Sequence, residues 1–134
     1  MAPHALTVRV YYEDTDFSGV VYHASYLRFM ERGRTELLRA LDVHQQAIFA
    51  GAAGAVFGFA VRHMAIDFLK PARMDDLLTV ETRAQSIGGA SLDLAQRILR
   101  GEETLVSAQV RVACVADGRP MRLPSWLRER LAGA

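Results

Sequence analysis

Cysteine is nearly absent: Cys114 stands alone, so no intrachain disulfide can staple the chain, and burial and hydrogen bonding must hold it together. It falls in an alternating run of small apolar residues, which suits buried packing better than a reactive role. Long hydrophobic runs are missing too. Nothing approaches the roughly 20 apolar residues needed to span a bilayer, and Met1-Ala2-Pro3-His4 lacks the basic-then-hydrophobic order of a signal sequence. No membrane span and a cytoplasmic location are therefore expected. Nor is there a basic block: 16 Lys+Arg and 15 Asp+Glu are mixed along the chain for a formal net charge of +1, which argues against nucleic acid as a partner. Lys70 is the sole lysine, and the arginines that stand in its place suit bidentate contacts to phosphate or carboxylate, or else reflect the base composition of the gene. Repeats, low-complexity segments and linkers are absent as well.

What is present reads as one folded domain, residues 1–134, with 51% hydrophobic and 23% charged residues, near the averages for globular proteins. Leu6, Val8, Val10 and Tyr12 alternate with polar neighbours, so residues 6–12 read as a strand. From Ala24 to Leu41 the period changes. Tyr26, Phe29, Met30, Gly33, Leu37 and Leu41 recur at helical spacing, predicting one helix of about five turns. Gly33 on the apolar stripe costs such a helix roughly 1 kcal/mol against alanine and predicts close approach to another backbone. A short helical pattern over 43–50 follows, broken by Gly51-Ala52-Ala53-Gly54. Strand patterns then run over 57–69, 77–87, 92–98 and 106–114, with Lys70 to Asp76, Gly88-Gly89, Gly101-Glu102-Glu103 and Asp117-Gly118 as the turns between and after them. Pro124-Ser125-Trp126 opens a terminal helix with Ser125 as its predicted N-cap. Short turns favour antiparallel pairing, and unpaired sheet edges favour self-association. The expectation is an α+β fold in which one antiparallel sheet of five strands wraps a long central helix, assembled as a homodimer or homotetramer.

Chemistry concentrates between the first strand and the long helix, in Tyr11-Tyr12-Glu13-Asp14-Thr15-Asp16-Phe17-Ser18-Gly19-Val20-Val21-Tyr22-His23-Ala24-Ser25-Tyr26. This places carboxylates, a glycine and a histidine just ahead of a helix whose first N–H groups have no intrahelical acceptor, an arrangement suited to a developing oxyanion. Asp14 and Asp16 equally fit a pair of turn carboxylates. A metal set of Asp14, Asp16 and His23 is conceivable, but no His-x-x-x-His spacing or acidic cluster completes it, so no metal is expected. His23 offers a backbone donor and an imidazole, which are separate cases. Tyr26 lies on the core stripe, where packing competes with a hydroxyl role toward substrate. Arg73, Arg97, Arg119 and Arg122 are candidates for phosphate contacts, or simply solvated cations.

Val8 to Asp16, Gly19 to Leu27 and Glu31-Arg32-Gly33-Arg34-Thr35-Glu36 resemble the hotdog-fold thioesterases of the 4-hydroxybenzoyl-CoA thioesterase family, and within it the YbgC-type acyl-CoA thioesterases associated with the Tol-Pal system. Weaker echoes run over 67–76, 91–98 and 112–115. The resemblance implies a hotdog fold and hydrolysis of acyl-CoA, or acyl-carrier-protein, thioesters without a cofactor. It implies that Asp16 is the essential carboxylate, as general base or as nucleophile, and that Asp14 is structural. It implies that the thioester carbonyl meets the backbone N–H of His23, with Gly19 or Val20 nearby; by analogy the Gly88 to Ser91 turn borders the site across a subunit interface, with Ser91 as a substrate contact, while the Tyr26 hydroxyl is a candidate to orient substrate. Phe17-Ser18, just before Gly19, departs from the shared pattern, so acyl preference does not carry over. A hydratase or dehydratase on the same scaffold is the rival enzyme, though its histidine-then-glutamate helix pattern is missing. A non-catalytic acyl-CoA-binding or envelope-associated module is the rival without turnover.

Overall fold

The computed structural model describes residues 3–52 and 54–133. In order, the elements are β1 (His4–Arg9), α1 (His23–Ala40), α2 (Gln45–Phe49), β2 (Gly58–Phe68), β3 (Leu77–Ile87), β4 (Ser91–Arg100), β5 (Glu103–Ala116), β6 (Arg119–Pro120) and α3 (Ser125–Ala132). The strands form one antiparallel sheet in the order β1-β3-β4-β5-β2, with the two-residue β6 pairing the end of β5. No helix among the described residues is long and apolar enough to cross a membrane.

The sheet curls about α1, whose buried face carries Ser25, Tyr26, Phe29, Met30, Gly33 and Leu37. These side chains pack with inward residues of the sheet such as Val80, Leu94, Ile98 and Val110. Gly33 sits where helix and sheet come closest. A Cβ there would lie 2.8 Å from Val80 Cγ1 and 2.9 Å from Thr82 Oγ1, so the close approach is to side chains of the sheet rather than to a backbone. Below it the buried Gln96 donates from Nε2 to the Met30 carbonyl and to Thr82 Oγ1, while its Oε1 accepts from Arg34 Nη1. A polar group is thereby satisfied on every side in a core that would otherwise penalise it. Cys114 is fully buried, as its alternating context predicts, and burial pushes its thiol above the ordinary value.

Three expectations need correction. The first strand ends at Arg9 rather than Tyr12, and Tyr12 is exposed in a 3-10 turn over Tyr12–Asp14. The cause is Asp14, whose Oδ2 accepts the Tyr11 N–H and diverts the backbone from the ladder. Lys70 to Asp76 is not a hairpin turn: β2 pairs with β5 and β3 with β4, so this segment arches over the β4–β5 turn. The arch is tied there by Lys70–Glu103, Arg100–Glu103 and Arg100–Asp76 ion pairs at 2.7, 2.7 and 2.8 Å. Finally, α3 begins at Ser125 itself, with Pro124 in the N-cap position and no side-chain capping bond. Ala53, in the predicted glycine-alanine break, lies outside the described residues.

Candidate active site

The chain leaves β1 with Val10, whose N–H donates to the Asp76 carbonyl and whose carbonyl accepts from Asp75. The next twelve residues fold back against the arch. Thr15 bridges Val21, Val20 bridges Arg73, and the Val21 N–H donates to the Ala72 carbonyl at 2.8 Å. Asp14 anchors this loop to the helix. Its carboxylate is buried, with Arg28 Nη2 at 3.7 Å, and its carbonyl accepts from the Tyr22 N–H and the Ser25 hydroxyl.

Asp16 has the opposite surroundings. It stands in solvent at the loop's outer side, and its Oδ1 accepts both the Ser18 N–H at 2.8 Å and the Ser18 hydroxyl at 2.6 Å. Those two donors, the hydroxyl first, hold its carboxyl below the ordinary value of 3.8. An anion at neutral pH results. The backbone N–H of Asp16 donates to Val20, and the Gly19 N–H donates back to the Asp16 carbonyl at 3.2 Å. Gly19 at φ +85° makes this reversal possible, since few other residues tolerate that conformation. Its N–H is therefore engaged inside the loop.

His23 is the first residue of α1. Among the described residues, neither its backbone N–H nor that of Ala24 has a hydrogen-bond acceptor. Both stand at the positive end of an 18-residue helix. The imidazole is a separate matter. Its centroid lies 4.5 Å from that of Tyr22 and 6.1 Å from that of Phe68, and it makes no hydrogen bond to Asp16. Tyr26 is buried one turn further along, its hydroxyl accepting the Ala72 N–H at 2.9 Å. Burial raises its phenol above the ordinary value of 10.0, so it stays protonated. The hydroxyl that was expected to orient substrate is thus engaged with the arch, and the Tyr26 ring helps to line a concavity with Val21, His23, Phe68 and Lys70.

Not every predicted contact converges. Ser91 opens β4 beside Gly88, at the far end of the β3–β4 hairpin from the loop, roughly 30 Å along the strand at about 3.3 Å per residue. A single chain does not bring it to Asp16. Of the candidate arginines, Arg97 is committed to Glu81, and Arg119 and Arg122 lie at the Ser91 end; Arg73 alone adjoins the loop, through its bridge to Val20. No group of three or more His, Cys, Asp or Glu residues is placed to hold a metal ion among the described residues. Sequence reasoning named neither the free N–H of Ala24 nor Ser18 as a partner of Asp16. For Ala24 the signal was position alone, the second N–H of a helix. For Ser18 it was the Asp-x-Ser spacing of a side-chain turn.

A family model for the thioesterase superfamily matches residues 18–107, a span that begins two residues after Asp16. The chain is 50% identical over 120 residues to the acyl-CoA thioester hydrolase YbgC of Escherichia coli O6:H1, covering 87% of each chain. To the acyl-CoA thioesterase YbgC of Haemophilus influenzae it is 48% identical over 123 residues, covering 90% of this chain and 88% of the relative. A crystal structure of a probable thioesterase from Bartonella henselae superposes with a TM-score of 0.89 at 48% identity, over 92% of this chain and 100% of the other.

Proposed function

Because this chain belongs to the thioesterase superfamily, we propose that it hydrolyses acyl-CoA thioesters, with Asp16 as the reacting carboxylate and the start of α1 as the oxyanion site. One observation carries the assignment of the site: the unpaired N–H groups of His23 and Ala24 begin α1 directly after the short loop that holds the Asp16 carboxylate. As nucleophile attacks, the carbonyl oxygen takes on negative charge, and donors fixed at that position lower the barrier by about 3–4 kcal/mol. Asp16 supplies the attack in one of two ways. As general base it takes a proton from water, whose oxygen bonds to the acyl carbon. As nucleophile its own oxygen forms a mixed anhydride, which water then opens. In both routes the C–S bond breaks, CoA leaves as a thiolate, the proton given up by the attacking water reaches that thiolate through solvent, and the acyl group departs as a carboxylic acid. A thiolate is a good leaving group, so a dedicated general acid is unnecessary.

The assembly reading has its own support. β2 pairs on one side only, with β5, and its 11 residues lie at the edge of the sheet with Val61 and Phe68 half exposed. Antiparallel pairing with a second copy about the strand's midpoint would add a partner to that edge. It would bring the partner's Gly58 to Val61 beside Asp67 and Phe68, next to His23. A homodimer built this way completes the wall of the concavity.

Thiol release from a panel of acyl-CoA esters of different chain length and aromaticity tests the activity. An Asp16→Asn variant is expected to lose about 10²–10⁴ in rate toward the best substrate. Full activity in that variant would remove Asp16 from the chemistry.

A further inference from the structure

The two oxygens of the Asp16 carboxylate are not equivalent. Oδ1 receives the Ser18 N–H at 2.8 Å and the Ser18 hydroxyl at 2.6 Å, and no described residue donates to Oδ2. The surrounding backbone is fixed by Asp16 N–H to Val20 and Gly19 N–H to Asp16, so the freedom left to the carboxylate is rotation of its own side chain. Such a rotation breaks both bonds to Ser18. We infer that Ser18 is a positioning residue of the hydrolysis: by occupying Oδ1 with two donors, it presents Oδ2 as the oxygen that takes the proton from water or forms the bond to the acyl carbon.

This inference rests on the reading of Asp16 as the reacting carboxylate. Substitution isolates the hydroxyl, because any residue but proline at position 18 keeps the N–H while only serine or threonine keeps the hydroxyl. Ser18 is exposed and its φ is not positive, so alanine fits there without strain. The same hydroxyl is the main cause of the lowered basicity of Asp16. Its loss therefore affects orientation and titration together, which a merely structural contact would not do.

The experiment compares the parent chain with Ser18→Ala, Ser18→Thr and Asp16→Asn, after matched thermal melts show that each folds. Ser18→Ala is expected to lower kcat about tenfold with little change in KM, the worth of one hydrogen bond to a charged group. The acid limb of its pH–rate profile should move to higher pH, and a carbon-13 titration of the Asp16 carboxyl should move the same way. Ser18→Thr should restore both. If Ser18→Ala keeps the kcat and acid limb of the parent while Asp16→Asn is inactive, the inference falls and the function of Asp16 stands. If Asp16→Asn is itself fully active, Asp16 is not the reacting group and both fall together.

Discussion

Asp14 and Asp16 carry the same side chain two positions apart, and their surroundings give them separate work. Asp14 is buried and holds three things at once: the Tyr11 N–H on its carboxylate, and the Tyr22 N–H and Ser25 hydroxyl on its carbonyl. Replacing it with alanine leaves the Tyr11 N–H without its acceptor, so Asp14→Ala should reduce unfolding free energy by about 1–3 kcal/mol. Urea denaturation measures that loss, and an unchanged midpoint would show that the carboxylate anchors nothing. Asp14→Asn keeps an amide oxygen for Tyr11 and should recover most of the loss. Sequence alone could place both acids in a turn before a helix, and the family resemblance could prefer Asp16. Neither could show which N–H groups are already taken. The resemblance puts Gly19 near the thioester carbonyl, yet its N–H closes on the Asp16 carbonyl. The backbone N–H of His23 is free because the first turn of any helix leaves its donors without an intrahelical partner.

At the scale of elements, α1 and the arch over the β4–β5 turn set the position of the site. Gly33→Ala adds a methyl where Val80 Cγ1 and Thr82 Oγ1 already stand within 3 Å, and both neighbours are branched and fully buried. The overlap should outweigh alanine's helical advantage of about 1 kcal/mol, for a net loss of about 1–3 kcal/mol in a thermal melt. The arch should respond to acid. Lys70 and Arg100 hold the Glu103 carboxyl below its ordinary 4.5. A carboxylate with a depressed folded value favours the native state above its unfolded value, and that contribution disappears as pH falls through 4.5 toward the folded value. Melting temperature should therefore fall on acidification below that pH, and less steeply in Glu103→Gln; parallel curves for the two proteins would count against the arch as the acid-sensitive element. Helix α1 and the strands after it were legible because a 3.6-residue stripe and a two-residue alternation differ over such lengths. The end of β1 was not, since a side-chain carboxylate decides it. The β2–β5 partnership was not either, because pairing across dozens of residues leaves no mark on local periodicity.

For the whole molecule, the decisive surface is the free edge of β2. The parts proposed for chemistry, Asp16 and the start of α1, belong to one chain, but Phe68 and the concavity beside His23 lie against that edge, where a second copy would stand. Sedimentation velocity should therefore give a mass of at least twice the 14.8 kDa of one chain. Val61 is half exposed on β2, and a carboxylate there would face the apolar surface of the partner strand. Val61→Asp should shift the protein toward monomer and lower thiol release in parallel, with activity recovering as concentration drives reassociation. A Val61→Asp protein that keeps the parent's mass would exclude β2 as the joining edge. A monomeric one with undiminished turnover at every concentration would show that each chain holds a complete site, and that the open edge serves assembly without serving catalysis.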